Sequence, residues 1–279
     1  MSRSNPCRPR HISIKMYGLT DTGQRRDNNE DYILVDNEHK MAIVADGMGG
    51  HNAGEVASKI ATEVTAQFLT AGLHIESRMQ DAFSTAQPLQ ELMEKSIQLA
   101  NRKILEESGS DEEKSGMGTT IVCLQFCNNW FAIGNVGDSR CYRFRDGNLV
   151  QLSEDHSWIQ GMVEQGTIKQ QDAKRHPQRG LLLQALGNRT IEPSFVTGCP
   201  MIGDIFVLCS DGLTEVVSNN TIGFVLNQNG SPQKTVEKLV ELANTNGGPD
   251  NISVVVAKIL PPRRSAATVK ASLSDFEND

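Results

Sequence analysis

Met41-Ala42-Ile43-Val44-Ala45-Asp46-Gly47-Met48-Gly49-Gly50-His51 is a short apolar run that ends on a carboxylate and then dissolves into glycines. Five consecutive apolar residues suit a strand buried on both faces. The glycines let backbone approach closely at its end, just before a helical pattern that begins near Ala53. The same arrangement recurs down the chain. Asp138 follows Trp130–Gly137, Asp211 closes Ile205–Ser210, and Asp250 stands immediately before Asn251-Ile252-Ser253-Val254-Val255-Val256. A carboxylate at a strand end sits at the rim of a core, and four gathered there repel one another unless a cation neutralises them. Bound divalent metal is the simplest such cation.

Outward from these points the hydrophobic period alternates between two and 3.6. Residues 31–36, 41–46, 119–126, 129–137, 140–145, 204–210 and 251–259 read as strands, with Asn128-Asn129 and Asp146-Gly147 as hairpin turns. Residues 53–70, 88–107 and 232–245 read as helices, the second carrying an apolar stripe from Leu89 to Ile104 behind Pro88. Consecutive hairpins with two long helices inserted early predict an α+β fold, packed antiparallel sheets flanked by helices. Residues 1–11 and 261–279 read as disordered arms around one domain spanning 12–260.

Composition narrows the function. The chain has 279 residues, 38% of them hydrophobic, enough for one large core, and a net charge of −7 that argues against a nucleic-acid surface. No run approaches the ~18 apolar residues of a membrane helix, and the first residues lack a secretory h-region, so a soluble, cytoplasmic protein is expected. The six cysteines form no metal-ligand spacing and no Cys-x5-Arg arrangement, so reduced thiols without nucleophilic chemistry are expected.

Other motifs sharpen the picture. In Arg26-Asp27-Asn28-Asn29-Glu30-Asp31 a guanidinium precedes a carboxylate by four residues. It reads either as a surface ion pair or as a fork for a phosphoryl group beside a metal-holding Glu30. The Asp46–His51 segment fails as a dinucleotide fingerprint, because Asn52 stands where glycine is needed, and lacks the Gly-Lys-Ser/Thr of a P-loop. A purely structural glycine turn stays open there. Gly137-Asp138-Ser139 is followed by Arg140-Cys141 and so is no serine-hydrolase elbow.

Taken in order, Arg26–Asp31, Asp46–Gly50, Gly118-Thr119-Thr120, Gly137-Asp138-Ser139-Arg140, Asp155-His156-Ser157, Ser210-Asp211-Gly212-Leu213 and Asp250-Asn251 resemble the metal-dependent serine/threonine phosphatases of the PPM, or type 2C, family. The likeness spans about residues 15 to 259 and is strongest to the compact bacterial branch, with His176-Pro177-Gln178-Arg179 in a flap of about residues 157–187. The resemblance implies a four-layer αββα sandwich with a binuclear centre at one end. Asp46 would bridge two Mn²⁺ or Mg²⁺ ions. Asp211 and Asp250 would complete the first, and Glu30 with the Gly47 carbonyl would serve the second. Asp138 would belong to a third, weaker site, and Arg26 would bind the phosphate. The expected substrates are phosphorylated proteins, with a cognate Ser/Thr kinase as partner, and the expected state is a monomer that binds neither nucleic acid nor membrane. Two positions depart from the family. Met48 stands where animal members carry a histidine, and Gly180 where bacterial members often carry a polar residue. A pseudophosphatase, and a different metal-dependent hydrolase or nucleotide-binding protein, are the competing readings. The first should lack metal aspartates that are all present here, and the second lacks its nucleotide motifs.

Overall fold

The structure, a computed structural model, describes residues 12–49, 53–76, 85–110, 112–169, 172 and 176–262. The expected arm at 1–11 lies outside the described residues, as do all but the first two residues of the expected arm at 261–279, and His51.

Two antiparallel sheets stack face to face. The first runs β1 (Ser13–Asp21), β11 (Ile252–Leu260), β10 (Ile205–Cys209), β7 (Arg140–Arg145), β8 (Asn148–Gln151). The second runs β2 (Asp31–Asp36), β3 (Met41–Met48), β5 (Ile121–Cys127), β6 (Trp130–Val136), β9 (Ser194–Gly198), with the short β4 (Gly118–Thr119) pairing the end of β3. Helices α1 (Ala53–Glu76) and α2 (Gln87–Ser110) cover the second sheet. The short α4 (Asp211–Thr214), α5 (Asn219–Asn227) and α6 (Pro232–Thr245) cover the first. The expected αββα sandwich is therefore observed.

The continuous apolar runs of the sequence follow from this layering, because strands between two packed layers bury both faces. In β3, Ala42 and Val44 face the inter-sheet core while Met41, Ile43 and Ala45 face α1. Phe206 and Leu208 of β10 enter the same inter-sheet core, where the Phe206 ring lies edge-on to Phe126 and Phe131 at centroid distances of 5.4 and 5.0 Å. The α2 stripe lies on β6 where Gly134 leaves space. A Cβ there would come within 2.8 Å of Ile97 Cδ1 and Met93 Sδ. The hairpin turns are as expected, with Asn128 at φ 50° and Asp146-Gly147 at 49° and 81°.

Several boundaries differ from the sequence reading. β3 runs two residues past Asp46, because Gly47 and Met48 pair with Thr119 and Gly118. Asp211 is the first residue of a helix that Ser210 precedes, rather than the end of a strand. β1 pairs with β11 over nine residues, from Ser13 with Leu260 to Asp21 with Ile252. Its alternation is blurred by Gly18 and by partial exposure along its length. β8, β9, α3 (Trp158–Glu164), α4 and α5 are short and were not legible as periodic segments. Cys123, Cys127, Cys141 and Cys209 form no disulfide, whereas Cys199 is disulfide-bonded, which corrects the expectation of uniformly reduced cysteines.

Candidate metal centre

One end of the sandwich collects the acidic residues. Antiparallel pairing of β2 with β3 sets Asp31 directly opposite Asp46. Asp46 is held by backbone: its N–H donates to Thr120 Oγ1 at 3.0 Å, and its carbonyl accepts from Thr120 N–H and Thr119 Oγ1, both at 2.9 Å. Gly47 is hemmed in, since a Cβ would sit 2.2 Å from the Gly54 carbonyl oxygen and 2.6 Å from that of Glu30. Only glycine lets this loop close against the start of α1, where the Glu30 carboxylate also lies. A Cβ on Gly54 would meet Glu30 Oε1 at 2.8 Å.

Asn251 ties the remote segments together. Its Oδ1 accepts from Glu30 N–H at 2.9 Å, and its Nδ2 donates to the carbonyls of Thr22 and Asn28, each at 2.9 Å. Beside it, Asp250 accepts from its neighbour's N–H through Oδ1, and from Arg26 Nη2 through Oδ2 at 2.7 Å. Ser210 Oγ donates to Asp31 at 2.8 Å and accepts from Ser253 N–H at 3.0 Å.

The charges feel one another. Burial first, and then the neighbouring Asp31, Asp211, Asp138 and Asp250 carboxylates, hold Asp46 well above the usual carboxylate range. Burial, followed by Asp138, Asp250 and Glu215, does the same to Asp211. Burial pushes Asp138 up to about 6, aided by Asp155 and opposed by Arg140. It pushes Asp31 to about 6 as well, with hydrogen bonds from Ser253 and Ser210 pulling the other way. Glu30 is raised chiefly by burial, against the attraction of Arg26.

These residues fit a hard divalent cation. Every candidate donor is a carboxylate or carbonyl oxygen. Two of the buried carboxylate oxygens, Asp31 Oδ1 and Asp211 Oδ1, have no hydrogen-bond partner, which is costly unless positive charge satisfies them. Among the described residues no group of three or more His, Cys, Asp or Glu side chains is placed so that it could hold a metal ion as it stands. Convergence here is therefore one of charge and of unsatisfied oxygen, and those two observations decide the fit because they concern energy rather than a preset geometry.

The sequence-picked residues are thus brought together: Arg26, Glu30, Asp46, Gly47, Asp138, Asp211 and Asp250 all face one end. Arg26 meets both readings halfway. One nitrogen holds Asp250 as an ion pair, while the side chain is 51% exposed at the acidic rim. Two residues escaped the sequence. Asp31 reads as the first residue of a strand, and only the register with Asp46 makes it part of the centre. Glu215 follows Asp211 by one helical turn, a spacing that was a usable signal.

A cleft of about 160 Å³ opens beside Asp138 and Asp211. Its floor holds Arg140 clasping Asp155 through Nε at 2.9 and 3.0 Å and Nη2 at 2.5 Å. Arg179 and Gly180 also line it, and Arg179 pairs with Glu215 at 3.1 Å. A side chain at Gly180 would point into open space, and Met48 sits in the β3–β4 pairing opposite Gly118. His176 stacks on Trp158 with ring centroids 5.2 Å apart.

Comparisons with known proteins converge. The sequence profile of the family described as Protein phosphatase 2C matches residues 23–253. The serine/threonine protein phosphatase PstP of Mycobacterium tuberculosis strain H37Rv is 35% identical over 249 residues, covering 89% of this chain and 46% of that protein. The chain thus spans about half the length of that curated relative. The serine/threonine phosphatase stp of Listeria monocytogenes serotype 4b is 36% identical over 245 residues, covering 86% of this chain and 93% of that one. A crystal structure of the catalytic domain of the serine/threonine protein phosphatase PstP in complex with two manganese ions superposes with a TM-score of 0.74. Identity is 32%, over 89% of this chain and 99% of that one.

Proposed function

The chain belongs to the protein phosphatase 2C family, and from that premise we propose that it hydrolyses phosphoserine and phosphothreonine esters in proteins at a centre holding two Mn²⁺ or Mg²⁺ ions. The observation that carries this reading is the cluster of buried carboxylates at one end of the sandwich, two of them with an orphaned oxygen.

In this reading Asp46 would help hold both cations, Asp211 and Asp250 would help hold one, and Glu30 with the Gly47 carbonyl would help hold the other. A third, weaker site at Asp138 is supported by its place in the cleft, where Gly180 offers no side chain. When bound, paired divalent cations lower the pKa of water and offset the charge of a phosphoryl group. The chain's own residues do the rest. Thr119 and Thr120 fix the Asp46 backbone, Asn251 fixes Glu30, and the Ser210 hydroxyl orients Asp31 against Asp46. Arg26 exchanges its contact with Asp250 for the phosphoryl oxygens of the substrate, a charge-assisted hydrogen bond its planar fork suits. No nucleophilic side chain is required, in keeping with thiols that burial pushes up and out of reach of reaction.

Residues 12–260 act as one catalytic domain in this proposal, with the flap at 157–187. The substrates are the products of a cognate Ser/Thr kinase, and the protein works as a cytoplasmic monomer. No helix among the described residues is long and apolar enough to cross a membrane. Four cysteines outside any disulfide agree with a reducing compartment, and the Cys199 disulfide does not.

The direct test is release of phosphate from an aryl phosphate and a phosphothreonine peptide in Mn²⁺, Mg²⁺ and excess EDTA. Turnover with either cation and none in chelator is expected. Full turnover by chelated, metal-free protein overturns the reading.

A further inference from the structure

Gly180 at the cleft wall is followed by Leu181-Leu182-Leu183-Gln184-Ala185-Leu186, an apolar run where a loop would ordinarily be polar. Its backbone is stitched down at both ends. Trp158 N–H donates to the Leu181 carbonyl and Leu183 N–H to the His156 carbonyl, both at 2.8 Å, with Ser157 and Leu182 bridged between them. At the far end Leu186 is buried and exchanges two backbone hydrogen bonds with Thr119, whose hydroxyl donates to the Asp46 carbonyl. The segment therefore runs from the cleft at Gly180 to the strand end that carries Asp46. Extended backbone puts residues two apart on one face, and Leu181 and Leu183 are left 49% and 56% exposed while the residues between and after them are more covered.

An exposed leucine alone means little. Two on one face of an anchored segment are different, because the order needed to dock on them already exists and little conformational entropy remains to be lost. The ledge adjoins the cleft lined by Asp138 and Asp211, because it begins one residue after Gly180 and its Leu182 bridges to Ser157, both of which line that cleft.

We infer that Leu181 and Leu183 form an apolar ledge that receives a hydrophobic side chain flanking the phosphorylated residue of the protein substrate, making them specificity-determining residues. This rests on the phosphatase reading above. The chemistry is desolvation of two half-exposed leucines against one aliphatic residue, which favours a leucine-bearing substrate over a glycine-bearing one by about tenfold.

The test measures kcat/KM on phosphothreonine peptides in which a single leucine is scanned through a glycine-serine background on either side of the phosphoresidue. For the wild type one position should raise kcat/KM about tenfold over the leucine-free peptide, through KM. In L181S and in L183S the ratio should shrink toward one, and in F224S, which removes an exposed aromatic from α5 instead, it should stay as in the wild type. A ratio near one at every position in the wild type, or an unchanged ratio in both leucine variants, overturns the ledge and leaves the phosphatase reading standing. Failure to hydrolyse any phosphopeptide or aryl phosphate overturns both.

Discussion

Arg26 has two possible masters, Asp250 and substrate, and their energies separate them. An ion pair this exposed contributes only about 0–1 kcal/mol to folding. A charge-assisted contact to a phosphoryl group in the transition state is worth more, so Arg26→Ala should lower kcat/KM by about one to three orders of magnitude with little change in melting temperature. Steady-state kinetics beside a thermal melt decides it, and a large loss of stability with intact kinetics would return Arg26 to structure. His156 offers a pH signature. Its Nδ1 lies 3.3 Å from the Gly137 N–H, which only an unprotonated nitrogen can accept. Burial holds its pKa below the ordinary 6.5, against the pull of Glu154 and Asp155. A lowered histidine pKa means that the folded chain binds fewer protons than the unfolded one. Its contribution is therefore complete above 6.5 and is lost as pH falls from there through the folded value. Between about pH 7.5 and about pH 5.5 the wild type should lose more melting temperature than His156→Asn, whose amide oxygen can accept the same bond without titrating. Parallel pH curves would show that the ring is not anchored this way.

At the level of elements, the seam between α2 and β6 is the tightest reading of the sequence. The helical stripe announced which residues of α2 are buried, but only packing shows that Gly134 is the surface they rest on. Gly134→Ala should destabilise by about 1–3 kcal/mol, since Ile97 and Met93 must move aside. Ile97→Ala should cost about 2–5 kcal/mol by leaving a void. The added methyl partly fills that void, so the double variant should lose less than the sum, a coupling that denaturant melts can read. Strict additivity would mean that the helix shifts rather than the side chains. Strands buried on both faces were readable because their apolar runs are unbroken. β1 was not, because it is partly exposed and interrupted by Gly18, and nothing local to it says that β11 lies alongside.

For the whole molecule, the acidic end is where both sheets and the α4 turn meet, so a cation there binds only the assembled fold. Binding to the native state alone stabilises by mass action, by about 2.7 kcal/mol at a hundredfold excess over Kd. Mn²⁺ should raise the melting temperature of the wild type and EDTA should reverse it. Asp46→Asn should blunt the shift, because it removes one charge from the centre. Scanning fluorimetry without turnover suffices, and an unshifted wild type would sink the metal assignment independently of any substrate.

Local periodicity and the chemistry of single positions were enough to establish from the sequence the strand-rich α+β sandwich, the two long helices and the aspartates at the rim. These depend on neighbours a few residues apart. The tertiary structure alone decided that Asp31 stands opposite Asp46, that Glu215 joins the acidic cluster and answers Arg179, and that Arg26 reaches Asp250 across 224 residues of chain. It also decided that Cys199 is not a free thiol. Such pairings are set by strand register and by the closure of two sheets on a shared core. Both are collective results of burial that no single segment encodes.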